Sequence, residues 1–93
     1  MGVEIVRVPA DWHHPEEEGE LVVGAHHEPL YYIDAAEKTA FQLYENVSEG
    51  SPVSPVFTTR EGLAEWLGQQ GWPAESIEFL LANGHAPTKV VRL

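Results

Sequence analysis

The chain contains no cysteine, so disulfides and thiolate metal sites are both excluded. It is also short of basic residues. Five Lys and Arg stand against fifteen Asp and Glu, a formal charge of −10. Nucleic-acid binding needs clustered Lys and Arg to neutralise phosphates, so no direct contact with nucleic acid is expected. Long apolar runs are missing as well. No stretch approaches the roughly 20 apolar residues of a membrane span. The first residues, MGVEIVRVPADW, have no basic region followed by an apolar one, which reads as the absence of a signal peptide. A cytoplasmic location without membrane attachment is the expectation.

Known catalytic patterns are absent too. Ser48, Ser51, Ser54 and Ser76 lie outside any Gly-x-Ser-x-Gly context, and there is no phosphate-binding or dinucleotide-binding glycine motif. An enzyme is not expected, and no cofactor is implied. Ninety-three residues make one domain, 1–93, with a correspondingly thin stability margin. Three Trp, three Tyr and three Phe are enough to fill a small core.

What is present is an unusual stretch, DWHHPEEEGELVVGAHHEP, running from Asp11 to Pro29. It carries four of the five histidines and three consecutive glutamates. Residues 1–50 hold eleven acids and two bases, and residues 51–93 hold four acids and three bases. Such asymmetry points to an interaction face, whereas a plain solvated surface is the bland alternative. Glu16, Glu17, Glu18 and Glu20 are the expected contacts for a protein partner with a basic surface, and electrostatic complementarity is what would drive association. Trp12 is a candidate aromatic anchor beside them, against the simpler reading that it tucks into the core. Trp72, just after Gly71, is the candidate contact in the C-terminal half. Imidazole and carboxylate also make good ligands for zinc, nickel or copper. His13 or His14, one of Glu16–Glu18, and His26 or His27 could converge on such an ion, with His14 and His26 as the candidate metal ligands, although no established His spacing is present.

Val3 to Val8 is β-branched and reads as a strand. Residues 9–20 read as a loop punctuated by Pro9, Pro15 and Gly19. Glu20 to Gly24 and Leu30 to Ile33 are candidate short strands. Asp34 and Glu37 resemble a helix N-cap with its reciprocal partner, giving at most a short helix over 34–40. A hairpin over 41–47 and 53–57 is preferred to a longer helix, because Pro52 and Pro55 bias their predecessors towards extended backbone. These prolines also form a minimal Pro-x-x-Pro, with edge protection as the commoner role. Thr58 and Glu61 predict a capped helix over 59–70 that ends at Gly71. A second helix is predicted from Pro73 to Gly84. Lys89 to Leu93 reads as a last strand, a potential partner for Val3–Val8. The fold class that follows is α+β: a small antiparallel sheet with two helices from the C-terminal half packed on one side.

Two segments carry a resemblance. Trp12, His14 and Pro15, followed by acids and Gly19, form the first. Tyr44, Glu45, Ser48, Glu49, Gly50, Pro52, Ser54, Pro55 and Phe57 form the second. The pair resembles small proteins of unknown function from bacteriophages and their bacterial hosts. The resemblance covers a little under half of the chain. It implies a phage or prophage origin and assigns no activity. Taken with the charge, it leads to the expectation of a non-enzymatic acidic protein-binding module. Such a module would be a phage-type accessory or inhibitor protein docking on a nucleic-acid-handling protein. The alternatives are a His/Glu metal-binding module and a structural or assembly component of a virion. Oligomeric state is not legible.

Overall fold

A computed structural model of the chain describes residues 2–46 and 50–87. Among these residues six strands and three helices are formed in the order β1 (Gly2–Val8), β2 (Glu16–Glu17), β3 (Glu20–Leu21), α1 (His27–Tyr31), β4 (Ala40–Glu45), β5 (Ser51–Phe57), α2 (Arg60–Gln69), α3 (Ala74–Asn83) and β6 (His85–Pro87). A single 3-10 turn, Ala35–Glu37, precedes β4. The main sheet is antiparallel with strand order β5-β4-β1-β6, and β2 and β3 make a separate hairpin.

The register of β1 against β4 sorts side chains onto two faces, because neighbours along a strand point to opposite sides. Ile5 pairs with Leu43, and Glu4 with Tyr44. On the first face Val3, Leu43 and Ala86 pack with Leu63, Leu67 and Leu80 from α2 and α3. Ile5, Phe57, Trp66, Trp72, Ile77 and Leu81 close around them. Here the expected architecture holds: α2 and α3 carry the chain from the edge strand β5 to the opposite edge at β6 and cover one side of the sheet. Leu63, Leu67 and Leu80 are fully buried. Truncating any one to alanine removes transfer energy and leaves a cavity, about 2–5 kcal/mol.

The second face is also covered. Val8 and Ala40 pack there with Leu30, and Val6, Trp12, Ile33 and Val56 surround them. The long connection from β1 to β4, residues 9–39, therefore folds across the sheet as a second layer. This layer contains the histidine- and glutamate-rich stretch.

Several local expectations shift by a residue or change type. Thr59, not Thr58, is the N-cap of α2 and accepts from the Gly62 amide at 2.9 Å. Asp34 caps the 3-10 turn without a side-chain hydrogen bond. Leu30 to Ile33, expected as a strand, lies at the end of α1 and the turn after it. The reason is period. Leu30 is buried and Ile33 half-buried, while Tyr31 and Tyr32 between them are 81% and 76% exposed. Three-residue spacing of inward residues belongs to a helical turn, not a strand. Pro29 is tolerated because the first amides of a helix have no partner inside it. The expected strand over 20–24 is limited to Glu20–Leu21.

The neighbour of β1 on its outer side is β6. Gly84, in the left-handed region at φ 80, ends α3, and its amide reaches the Leu80 carbonyl at 2.7 Å. Its own carbonyl then accepts from the Ile5 amide at 2.8 Å. This turn delivers His85–Pro87 alongside Gly2–Glu4. The predicted strand at 89–93 lies outside the described residues.

Candidate functional site

The layer formed by residues 9–39 is organised by a hydrogen-bond chain under the hairpin. His14 is buried, and its Nε2 lies 2.6 Å from the Val22 carbonyl. A carbonyl only accepts, so Nε2 carries the proton. In the neutral ring Nδ1 is then an acceptor, and it faces the Tyr44 hydroxyl at 3.0 Å. The Trp12 indole donates to the same hydroxyl at 3.2 Å. The direction is thus Trp12 to Tyr44 to His14 to Val22, linking four chain positions across two layers. Burial pushes the Tyr44 phenol above its ordinary range, and the Trp12 hydrogen bond opposes that shift.

His26 lies against this chain. Its ring is 4.1 Å from Tyr44, 5.4 Å from His14 and 4.0 Å from His27, centroid to centroid. It is 2% exposed, and its Nδ1 has no hydrogen-bond partner. Burial, with His27 and His14 adding repulsion, pushes its pKa down to about 4. Gly50 closes over the ring: a Cβ there would come 2.7 Å from His26 Cε1. The Gly50 carbonyl meanwhile accepts from the Gly24 amide at 2.8 Å. The two candidate metal ligands, His14 and His26, are therefore brought together. However, both ring nitrogens of His14 are engaged, and no group of three His, Cys, Asp or Glu among the described residues is placed to hold a metal ion. His14 is thus engaged by hydrogen bonds, and His26 by ring packing.

The four glutamates project on a two-residue hairpin. Glu16 and Glu17 pair with Leu21 and Glu20. Glu18 at φ 54 and Gly19 at φ 84 make the two positive-φ positions that match strand twist in such a turn. Glu16, Glu17, Glu18 and Glu20 are all exposed. The hairpin is anchored by the Val22 amide, which donates to Pro15 at 3.1 Å. Residues 9–39 carry eight acids and one base, whereas 59–84 carry four and one. The charge is therefore heavier on the layer that holds the hairpin.

A cleft of about 650 Å³ lies between this hairpin and the edge strand β5. Trp12, Leu21 and Val53 are among the residues that line it, with Leu21 and Val53 each close to half exposed. Asp11, His13 and Glu16 line it as well, and among the described residues no Lys or Arg does. Of the two tryptophans expected at a contact, Trp12 stands here, half-buried. Trp72 is packed into the core on the other face of the sheet and does not join the acidic face.

Sequence reasoning missed Tyr44, Gln42 and Gly50. The signal for Tyr44 was that a tyrosine inside a strand core needs a partner for its hydroxyl. Gln42 is 7% exposed on the hairpin-side face. Its Nε2 donates to the Ser54 carbonyl at 2.8 Å, and its Oε1 has no partner. Nothing in a single sequence marks which glycine meets a ring 24 positions away. Among the described residues no helix is long and apolar enough to cross a membrane. No family model matches the chain, and neither a curated protein nor a solved structure matches it.

Proposed function

We propose that this chain is a non-enzymatic protein-binding module whose acidic hairpin meets a basic surface on its partner. The observation that carries this reading is the placement of Glu16, Glu17, Glu18 and Glu20. All four are exposed on one two-stranded projection, beside the half-exposed apolar side chains of Leu21 and Val53. An apolar patch rimmed by charge of one sign is the usual make-up of a specific contact: the apolar part supplies binding energy, and the charge supplies steering and discrimination. A hairpin tied to a hydrogen-bonded layer below also presents its carboxylates in a fixed arrangement, which lowers the entropic cost of binding.

The class of partner follows from charge. A surface rich in Lys and Arg is typical of proteins that handle nucleic acid. The reading is thus of an accessory or inhibitor protein, of the phage type that the sequence resembles, occupying such a surface. The test is affinity capture from the organism that encodes the chain, at low and at high salt, followed by identification of what is retained. A discrete basic protein, held at low salt and released as salt rises, agrees with the reading. Capture that is indifferent both to salt and to reversal of the four glutamates contradicts it.

A further inference from the structure

The cleft beside the hairpin has features that a solvated groove does not need. Gln42, 93% buried by its 7% exposure, lines it. Its amide is oriented by the Nε2 bond to Ser54, so Oε1 is the atom left without a partner. A buried acceptor without a donor costs about 1–3 kcal/mol. In a natural protein it is the kind of atom a bound molecule satisfies. Trp12 lines the same cleft, and its indole N–H is already committed to Tyr44. The ring is thereby held in place, and what remains for a ligand is apolar and π surface, which attracts a cation. Asp11 and Glu16 add two exposed carboxylates to the lining, with the rest of the hairpin's negative charge close by. Leu21 and Val53 supply apolar surface.

A buried oxygen acceptor, an aromatic face, carboxylates and aliphatic flanks together suit one kind of group: a cation on an aliphatic stem. We propose that the cleft between the β2–β3 hairpin and β5 receives a lysine or arginine side chain of the partner protein. Its stem lies along Leu21, Val53 and Trp12, and its charged head sits between the Asp11 and Glu16 carboxylates and reaches Gln42 Oε1 as the side chains over that buried oxygen give way. The volume lies within the range of roughly 300–1,000 Å³ typical of ligand pockets. It accommodates one long side chain with its flanking backbone. This deepens the reading of an acidic docking face and rests on it, since it makes one residue of the basic partner the anchor.

The test uses the full chain, labelled with nitrogen-15 and titrated with acetyl-Ala-Ala-Lys-Ala-Ala-amide, its arginine counterpart and a norleucine counterpart. Free butylamine separates a small-molecule amine site from a peptide site. The expected result is saturable shifts at the Trp12 indole and the Gln42 side-chain amide with the lysine or arginine peptide, at least tenfold weaker with norleucine and with butylamine. Gln42→Leu removes the acceptor and is expected to weaken binding about tenfold. Asp11→Asn with Glu16→Gln, both at exposed positions, does the same without touching the core. Equal binding of norleucine overturns the proposal, and so does butylamine binding as tightly as the peptides. Shifts confined to the amides of Glu17, Glu18 and Glu20 also overturn it, while leaving the acidic face standing. Conversely, cleft binding that persists in a Glu17→Gln, Glu18→Gln, Glu20→Gln variant, with capture from extract unchanged, supports the cleft and removes the hairpin reading.

Discussion

The hydroxyl of Tyr44 lies 3.0 Å from Nδ1 of His14, and the partners on either side set the direction of that bond: Tyr44 donates and His14 accepts. The bond joins the central strand β4 to the layer that carries the hairpin. It therefore connects the core of the fold to the proposed contact face.

Tyr44→Phe cuts this link. It leaves His14 Nδ1 without its donor and the Trp12 indole without its acceptor. The loss is expected to be about 2–3 kcal/mol, since His14 is buried and Trp12 is half open to water. Urea denaturation measures it. Nitrogen-15 shifts of the imidazole in the wild-type chain check the same geometry from the other side: in the neutral His14 ring the proton is expected on Nε2.

His26 makes stability depend on pH. Its folded pKa of about 4 lies below the ordinary 6.5. The unfolded chain thus binds the proton more readily, and acid favours unfolding. The contribution is fully present above pH 6.5, declines as pH falls from 6.5 towards 4, and falls no further below that. At about 1.36 kcal/mol per pH unit the total is roughly 3 kcal/mol. That is a large part of a small domain's stability. His26→Phe keeps a ring against Tyr44 and removes the titration. Its denaturation midpoint is expected to vary less between pH 7 and pH 4 than that of the wild type.

Gly50 and Gly19 both have positive φ, at 112 and 84, but only one is crowded. Gly50→Ala places a methyl 2.7 Å from the His26 ring in a backbone region closed to side chains. It should cost roughly 2–4 kcal/mol. Gly19→Ala has nothing within 4 Å and should cost only the backbone preference, about 1–2 kcal/mol. Thermal denaturation of the pair separates the contact from the conformation.

Glu18 occupies a left-handed position at φ 54 that asparagine adopts more readily. Glu18→Asn should stabilise the chain by a few tenths to about 1 kcal/mol. Glu18→Gln, which removes the charge without the turn preference, should not. If both stabilise equally, repulsion among the glutamates and not turn geometry is the cause.

The elements legible in the sequence were those with local chemistry. The two C-terminal helices carry their own stops and apolar faces, and the β4–β5 hairpin has prolines that enforce extended backbone. Leu30–Ile33 reads as a strand because the four residues LYYI satisfy a strand composition, whereas only the sheet below shows which of them turn inward. His85–Pro87 became a strand through the turn at Gly84, a tertiary event with no composition of its own. For the candidate site, the acids were visible as a run and the hairpin makes them a projection. The histidines were visible as pairs, but their engagement with Tyr44, Val22 and Gly50 depends on residues 8 to 30 positions away, and periodicity does not report on such contacts.

The central claim is that the hairpin carboxylates, and not net charge, recognise the partner. The most direct measurement compares two variants of equal charge in quantitative capture from extract at low salt. One carries Glu16→Gln, Glu17→Gln, Glu18→Gln and Glu20→Gln. The other carries Glu61→Gln, Glu65→Gln, Glu75→Gln and Glu78→Gln, four exposed positions on α2 and α3. The account predicts that the first variant loses the partner and the second keeps it. Equal retention, or equal loss, contradicts it.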